Sequence, residues 1–91
     1  MSNTYQIYLI SDSTGETLDR IFLALKAQFI NIEYKVHSYS FTRTENQIFK
    51  ILDDAKKNEN SVILYTIVDN NLAKYLANVS DKKKIPCFGV L

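Results

Sequence analysis

Two segments, Tyr5–Ser11 (YQIYLIS) and Ser61–Ile67 (SVILYTI), are almost continuously apolar and rich in β-branched and aromatic residues. Runs of this kind predict strands buried on both faces, as in a parallel sheet covered by helices. Glu33–Phe41 (EYKVHSYSF) mixes polar with apolar positions and predicts a strand nearer an edge. Pro86–Leu91 is a fourth, short apolar run, with its proline at the first position, where a strand tolerates it. Between these runs the apolar spacing lengthens to that of a helix. Leu18, Ile21, Phe22, Leu25 and Phe29 share one helical face, as do Ile48, Ile51, Leu52 and Ala55, and then Leu72, Tyr75, Leu76 and Val79. Thr44-Glu45-Asn46-Gln47 has the capping-box pattern that opens a helix, and Asp69-Asn70 supplies cap candidates for the third.

Strands alternating with helices through short connections predict right-handed βαβ units on a parallel sheet. The expected fold is therefore α/β: a three-layer, Rossmann-like or flavodoxin-like arrangement of four parallel strands. With the two most apolar strands central, the strand order is 2-1-3-4, and the switch point lies between the first and third strands. Ligands of such sheets sit beyond the carboxyl ends of the strands. The loops expected there are Asp12–Thr17, Thr42–Thr44 and Val68–Asn71. A fourth strand with no helix over it and no neighbour outside it predicts one of two things. Either it pairs with another chain, giving a homo-oligomer, or these residues are the first part of a longer protein.

Ninety-one residues make one domain, and one of this size buries only about 60–65% of its unfolded surface, so its core must be well filled. Eleven basic residues against ten acidic leave a net charge of +1, which excludes a general attraction to nucleic acid or anionic membrane. The basic run Lys82-Lys83-Lys84 reads as a solvated helix end that favours the negative end of the helix dipole. No apolar stretch approaches the ~20 residues of a membrane span, and MSNTYQ lacks the regions of a signal peptide, so a cytoplasmic protein is expected. Cys87 is the one cysteine, which excludes a disulfide framework or zinc spacing and reads as an inert buried thiol.

The candidate chemistry lies in Ser11-Asp12-Ser13-Thr14-Gly15-Glu16-Thr17, between the first strand and the first helix. Gly15 lets the backbone turn tightly, and Ser11, Ser13, Thr14 and Thr17 offer hydroxyls, which is the layout of a phosphate-binding loop at a helix N-terminus. Asp12 and Glu16 oppose a bare anion, so such a site calls for Mg²⁺ or an arginine. Arg43, at the end of the second strand, is placed to supply that charge and a planar fork for phosphate, although a solvated surface arginine is the favoured reading of this residue alone. A second reading of the loop stays open: Ser13 and Glu16 form a capping box and the segment only starts a helix. Asp69 reads as a helix cap. His37, mid-strand with Tyr39 and Phe41 on its face, has no carboxylate or cysteine at useful spacing and reads as structural.

Several segments together resemble the pyruvate, phosphate dikinase regulatory proteins, a family that also includes regulators of phosphoenolpyruvate synthase. They are LISDSTGETLDRI at the start, AQF at Ala27–Phe29, VHSYSFTRT at Val36–Thr44, ILYTIVDNNL at Ile63–Leu72 and IPCFGVL at Ile85–Leu91. The last of these points to the dikinase branch. The resemblance implies a bifunctional enzyme, an ADP-dependent serine/threonine kinase that inactivates the dikinase. It also implies removal of the phosphoryl group with inorganic phosphate, releasing pyrophosphate. The family's nucleotide-binding P-loop lies beyond Leu91, and no G-x-x-x-x-G-K-[ST] occurs in this sequence. The resemblance therefore carries over no catalytic residue and no cofactor. It implies ADP and phosphate as substrates of the longer protein, and an N-terminal domain that is inactive alone. Two other classes stay open: a flavodoxin-like FMN-binding domain, which Thr14-Gly15-Glu16-Thr17 after a first strand also resembles, and a non-catalytic interaction domain.

Overall fold

In the computed structural model, which describes residues 4–28 and 31–90, the run Tyr5–Ser11 forms strand β1 with the bounds its composition predicts. The elements that follow are α1 (Glu16–Lys26), β2 (Tyr34–Tyr39), α2 (Glu45–Lys56), β3 (Ser61–Thr66), α3 (Asn70–Lys82) and β4 (Cys87–Gly89). All pairings are parallel and the strand order is β2-β1-β3-β4, as expected. Phe29 and Leu91, which the sequence pattern assigns to a helix face and a strand, lie outside the described residues.

The period of two along β1 divides the core. Tyr8 and Ile10 point to the face covered by α2 and α3, where they pack with Ile48, Leu52, Ile63 and Leu76. Leu9 points the other way, to Leu18 and Phe22 of α1. All four apolar positions predicted for α2 are buried, and Leu72 and Leu76 of α3 are buried with them. Two helices therefore cover one face of the sheet and one helix covers the other, as right-handed crossovers to either side of β1 require.

That asymmetry corrects one expectation. The central strands are not sealed on both faces: Ile7, Val62 and Leu64 on the α1 side remain half-buried. β2 is the edge strand it was expected to be. His37 is structural, with its Nε2 2.7 Å from Oε1 of Gln6 and its ring stacked 4.5 Å from that of Tyr8. Phe41, expected on the same face, has instead left the strand with φ 52°.

The helix ends follow their sequences. Thr44 caps α2 in a full capping box with Gln47, and the Asp69 carboxylate accepts from the N–H of Leu72 at the start of α3. At the end of α3, Lys56 Nζ donates to the carbonyl of Lys83, placing a cation at the negative end of the helix. Pro86 immediately precedes β4, and its carbonyl accepts from Ile63. Among the described residues no helix is long and apolar enough to cross a membrane.

Candidate functional site

The ends of β1, β2 and β3 bring three loops to one rim of the sheet. Because β1 lies between β2 and β3, the loop after β1 is gripped from both sides. On the β2 side, Phe41 and Thr42 donate their N–H groups to the carbonyls of Ser13 and Ser11, each at 2.9 Å. The hydroxyl of Ser40 donates to the carbonyl of Thr14 at 3.0 Å. On the β3 side, the hydroxyl of Thr66 donates to Ser11 Oγ at 3.3 Å.

The sequence-predicted residues fall into two groups. Ser11 is 2% exposed, and its Oγ also accepts from the N–H of Ser13, so its hydroxyl is spent inside the loop. The Asp12 carboxylate turns toward the β3–α3 loop and accepts from the N–H of Val68 at 2.8 Å. These two residues brace the loop. Ser13, Thr14 and Thr17 are exposed along its outer side.

Gly15 is the N-cap of α1, in the left-handed region at φ 86°, and no side chain caps the helix. The second reading, a Ser13–Glu16 capping box, does not form, because the left-handed turn at Gly15 moves the cap position past Ser13. Asp19 makes the first intrahelical bond, to the carbonyl of Gly15, and Glu16 makes only a 3.5 Å contact to Thr14 Oγ1. Among the described residues α1 therefore starts without a side-chain cap, with Thr17 exposed at its first turn and Leu18 buried beneath it.

Arg43 reaches this loop across the rim. Its Nε donates to the carbonyl of Asp12 at 3.0 Å, and its guanidinium lies 5.2 Å from the centre of the Phe41 ring. Its side chain is thereby held at both stem and face, while its terminal nitrogens carry no hydrogen bond among the described residues. Between the loop and the end of β2 lies a cleft of about 20 Å³, lined by Thr14, Gly15, Asp19 and Ser40 among others. It has room for about one water.

Sequence reasoning found the loop and Arg43 but missed Ser40, Phe41 and Thr66, which fasten them. A signal was present in the strand order: the residues ending β2 and β3 must flank the end of β1. No group of three or more His, Cys, Asp or Glu side chains among the described residues is arranged to hold a metal ion. Cys87 is half-buried, and burial pushes its thiol up, which suits an inert side chain.

A family model described as kinase/pyrophosphorylase matches residues 7–91. A curated relative from Pelagibacter ubique (strain HTCC1062), carrying the name "Putative pyruvate, phosphate dikinase regulatory protein", is 77% identical over all of this chain and 33% of its own length. A relative of the same name from Geotalea uraniireducens (strain Rf4) is 42% identical over 94% of this chain and 32% of its own length. Another, from Bartonella tribocorum, is 34% identical over 97% of this chain and 32% of its own length. The chain spans about a third of the length of the curated relatives it matches.

Proposed function

The chain belongs to the kinase/pyrophosphorylase family, and from that premise we propose that it is the N-terminal domain of a longer regulator of pyruvate, phosphate dikinase. In one direction the whole protein transfers a phosphoryl group from ADP to a serine or threonine hydroxyl of the dikinase, leaving AMP. In the other, inorganic phosphate takes that group back, restoring the hydroxyl and releasing pyrophosphate. The name that the relatives carry supports the partner, and a kinase/pyrophosphorylase family supports both directions.

Phosphoryl transfer is mostly positioning and charge stabilisation around a nucleotide and its metal. The 91 residues contain no P-loop sequence, so we assign nucleotide binding to the rest of the protein and expect this domain alone to catalyse neither reaction. Its contribution is the rim. One observation carries this reading: α1 begins without a side-chain cap, and Arg43 is held across the loop in front of it. Free N–H groups at a helix start, beside a guanidinium, suit a phosphate or phosphoryl group. The main electrostatic objection is weakened, because the Asp12 carboxylate points to Val68. Thr14, Gly15, Thr17 and Arg43 are the residues we place against the anion, with Ser13 at its side and Ser11 and Asp12 behind. Glu16 remains beside it, so binding by this domain alone is expected on the order of millimolar. A cytoplasmic location and self-pairing through the outer edge of β4 belong to the same proposal.

The test is made in the full-length protein, with Arg43→Ala and Gly15→Val measured separately in the ADP-dependent and phosphate-dependent reactions. Each variant is expected to slow both reactions at least tenfold while the protein stays folded. Rates equal to the parent's for both variants would reduce the loop to a helix start and the domain to a structural role.

A further inference from the structure

The face of the sheet opposite α2 and α3 carries an apolar groove of about 400 Å³ beside the C-terminal half of α1. Ile7 of β1, Val62 and Leu64 of β3, Phe88 of β4, Leu25 of α1 and Ile32 line it together with the rings of Tyr5 and Tyr34, and among the described residues no charged side chain does. Phe88 is 54% exposed and Ile32 41%. The groove lies away from the rim and has none of its hydroxyls, so it does not belong to the site described above.

The opposite face shows what such a surface needs. Four strands at ~4.8 Å spacing present roughly 14 Å between the outer strand axes, and a helix with its side chains is ~10–12 Å across. The same four strands take two helices, α2 and α3, on one side and only α1 on the other. Among the described residues, one helix position is empty. A further strand added outside β4 by a right-handed crossover would put its helix back on the α2–α3 face and leave the groove open. A helix arriving from elsewhere in the protein can fill it. Such an occupant also brings its backbone already hydrogen-bonded, which suits a groove whose described lining offers only the phenols of Tyr5 and Tyr34 as polar groups.

The relatives supply the length for it, since about two thirds of each lies outside the matched region. We propose that in the full-length protein an amphipathic helix from outside these 91 residues packs beside α1. Its apolar stripe covers Ile7, Val62, Leu64 and Phe88. This proposal needs the family assignment but not the chemistry assigned to the rim.

The experiment uses a chimera in which this chain replaces the matching third of the full-length Pelagibacter ubique relative. The photoreactive residue p-benzoylphenylalanine is placed at position 88, and in a second version at position 32. The two sites lie at opposite ends of the groove and are both substantially exposed, so the fold tolerates them. On irradiation, a cross-link within one polypeptide is expected, to a segment outside residues 1–91 whose apolar residues recur at three- and four-residue spacing. It is expected not to form when the protein is unfolded in guanidinium before irradiation. Three results would overturn the proposal: a link confined to residues 1–91, a product of doubled mass from position 32, which lies away from the β4 edge and so shows that a second copy fills the groove, or no link from either position. Kinase and phosphorylase rates are not the readout, so failure here is distinguishable from failure of the rim.

Discussion

The carboxylate of Asp12 accepts a hydrogen bond from the backbone N–H of Val68, at 2.8 Å, and so fastens the loop after β1 to the loop after β3. The same residue's carbonyl accepts from Arg43, at 3.0 Å, on the opposite side. One residue thus joins all three strand ends, with its carboxylate engaged by the N–H of Val68. A carboxylate read from the sequence as an obstacle to an anion is a brace for the loop that would receive it.

Asp12→Ala is expected to destabilise the domain by about 1–2 kcal/mol, the range for an ionised acceptor at a partly exposed site. Asp12→Asn keeps an acceptor oxygen and should recover about half of that loss. Urea unfolding of the three proteins, compared by midpoint at constant slope, reads the difference. An alanine variant as stable as the parent would mean that the contact contributes nothing in solution.

The elements were legible because their signals are local. The bounds of β1, the capping box at Thr44 and the buried face of α2 each follow from a few adjacent residues. The strand order followed from the two most apolar runs, which had to be central. What was not legible depends on neighbours distant in sequence. The destination of the Asp12 side chain is set by β3, more than fifty residues on, and the role of Phe41 by Arg43. The open α1 face was hidden by a sound inference: apolar strands do predict cover on both sides, but they do not say which segment provides it. At Gly15 two local rules competed, a Ser-x-x-Glu capping box and a glycine that takes a left-handed turn, and the turn won.

The glycine supplies the second prediction. At φ 86° a Cβ on residue 15 would lie 3.6 Å from Ser40 Oγ and 3.9 Å from Ser11 Cβ, ordinary contacts that need no rearrangement. The cost of a side chain is then backbone strain and not collision. Gly15→Ala should lose about 1–2 kcal/mol, and Gly15→Asn less, since asparagine enters the left-handed region more readily. Gly15→Val should lose most, its branched Cβ adding to the strain. Thermal or urea unfolding of the series gives the ranking; equal losses for Asn and Ala would show that strain at this residue is not the cause.

The last prediction concerns Tyr8, whose ring is fully buried under α2 while its hydroxyl donates to Asp54 Oδ2 and accepts from Asn58 Nδ2, each at 3.0 Å. Burial, reinforced by the Asp54 carboxylate, pushes its phenol from 10.0 up to about 12. Below pH 10 the phenol is neutral in folded and unfolded chains alike, and its full contribution to stability is present. Between pH 10 and about 12 the unfolded chain ionises and the folded one does not, so that contribution is progressively lost, on the order of 2–3 kcal/mol in all. Tyr8→Phe has no such proton to lose. At pH 7 it should be about 1 kcal/mol less stable than the parent, the net value of a hydrogen bond. Above pH 10 the gap should close and then reverse. Tyr39, stacked 6.2 Å from Tyr8 and also raised by burial, is present in both proteins, so the comparison is read as the difference between parent and variant. Urea midpoints taken from pH 8 to pH 11.5 measure that difference directly. If parent and variant stay parallel across the range, the buried phenol is not held by Asp54 as the geometry requires.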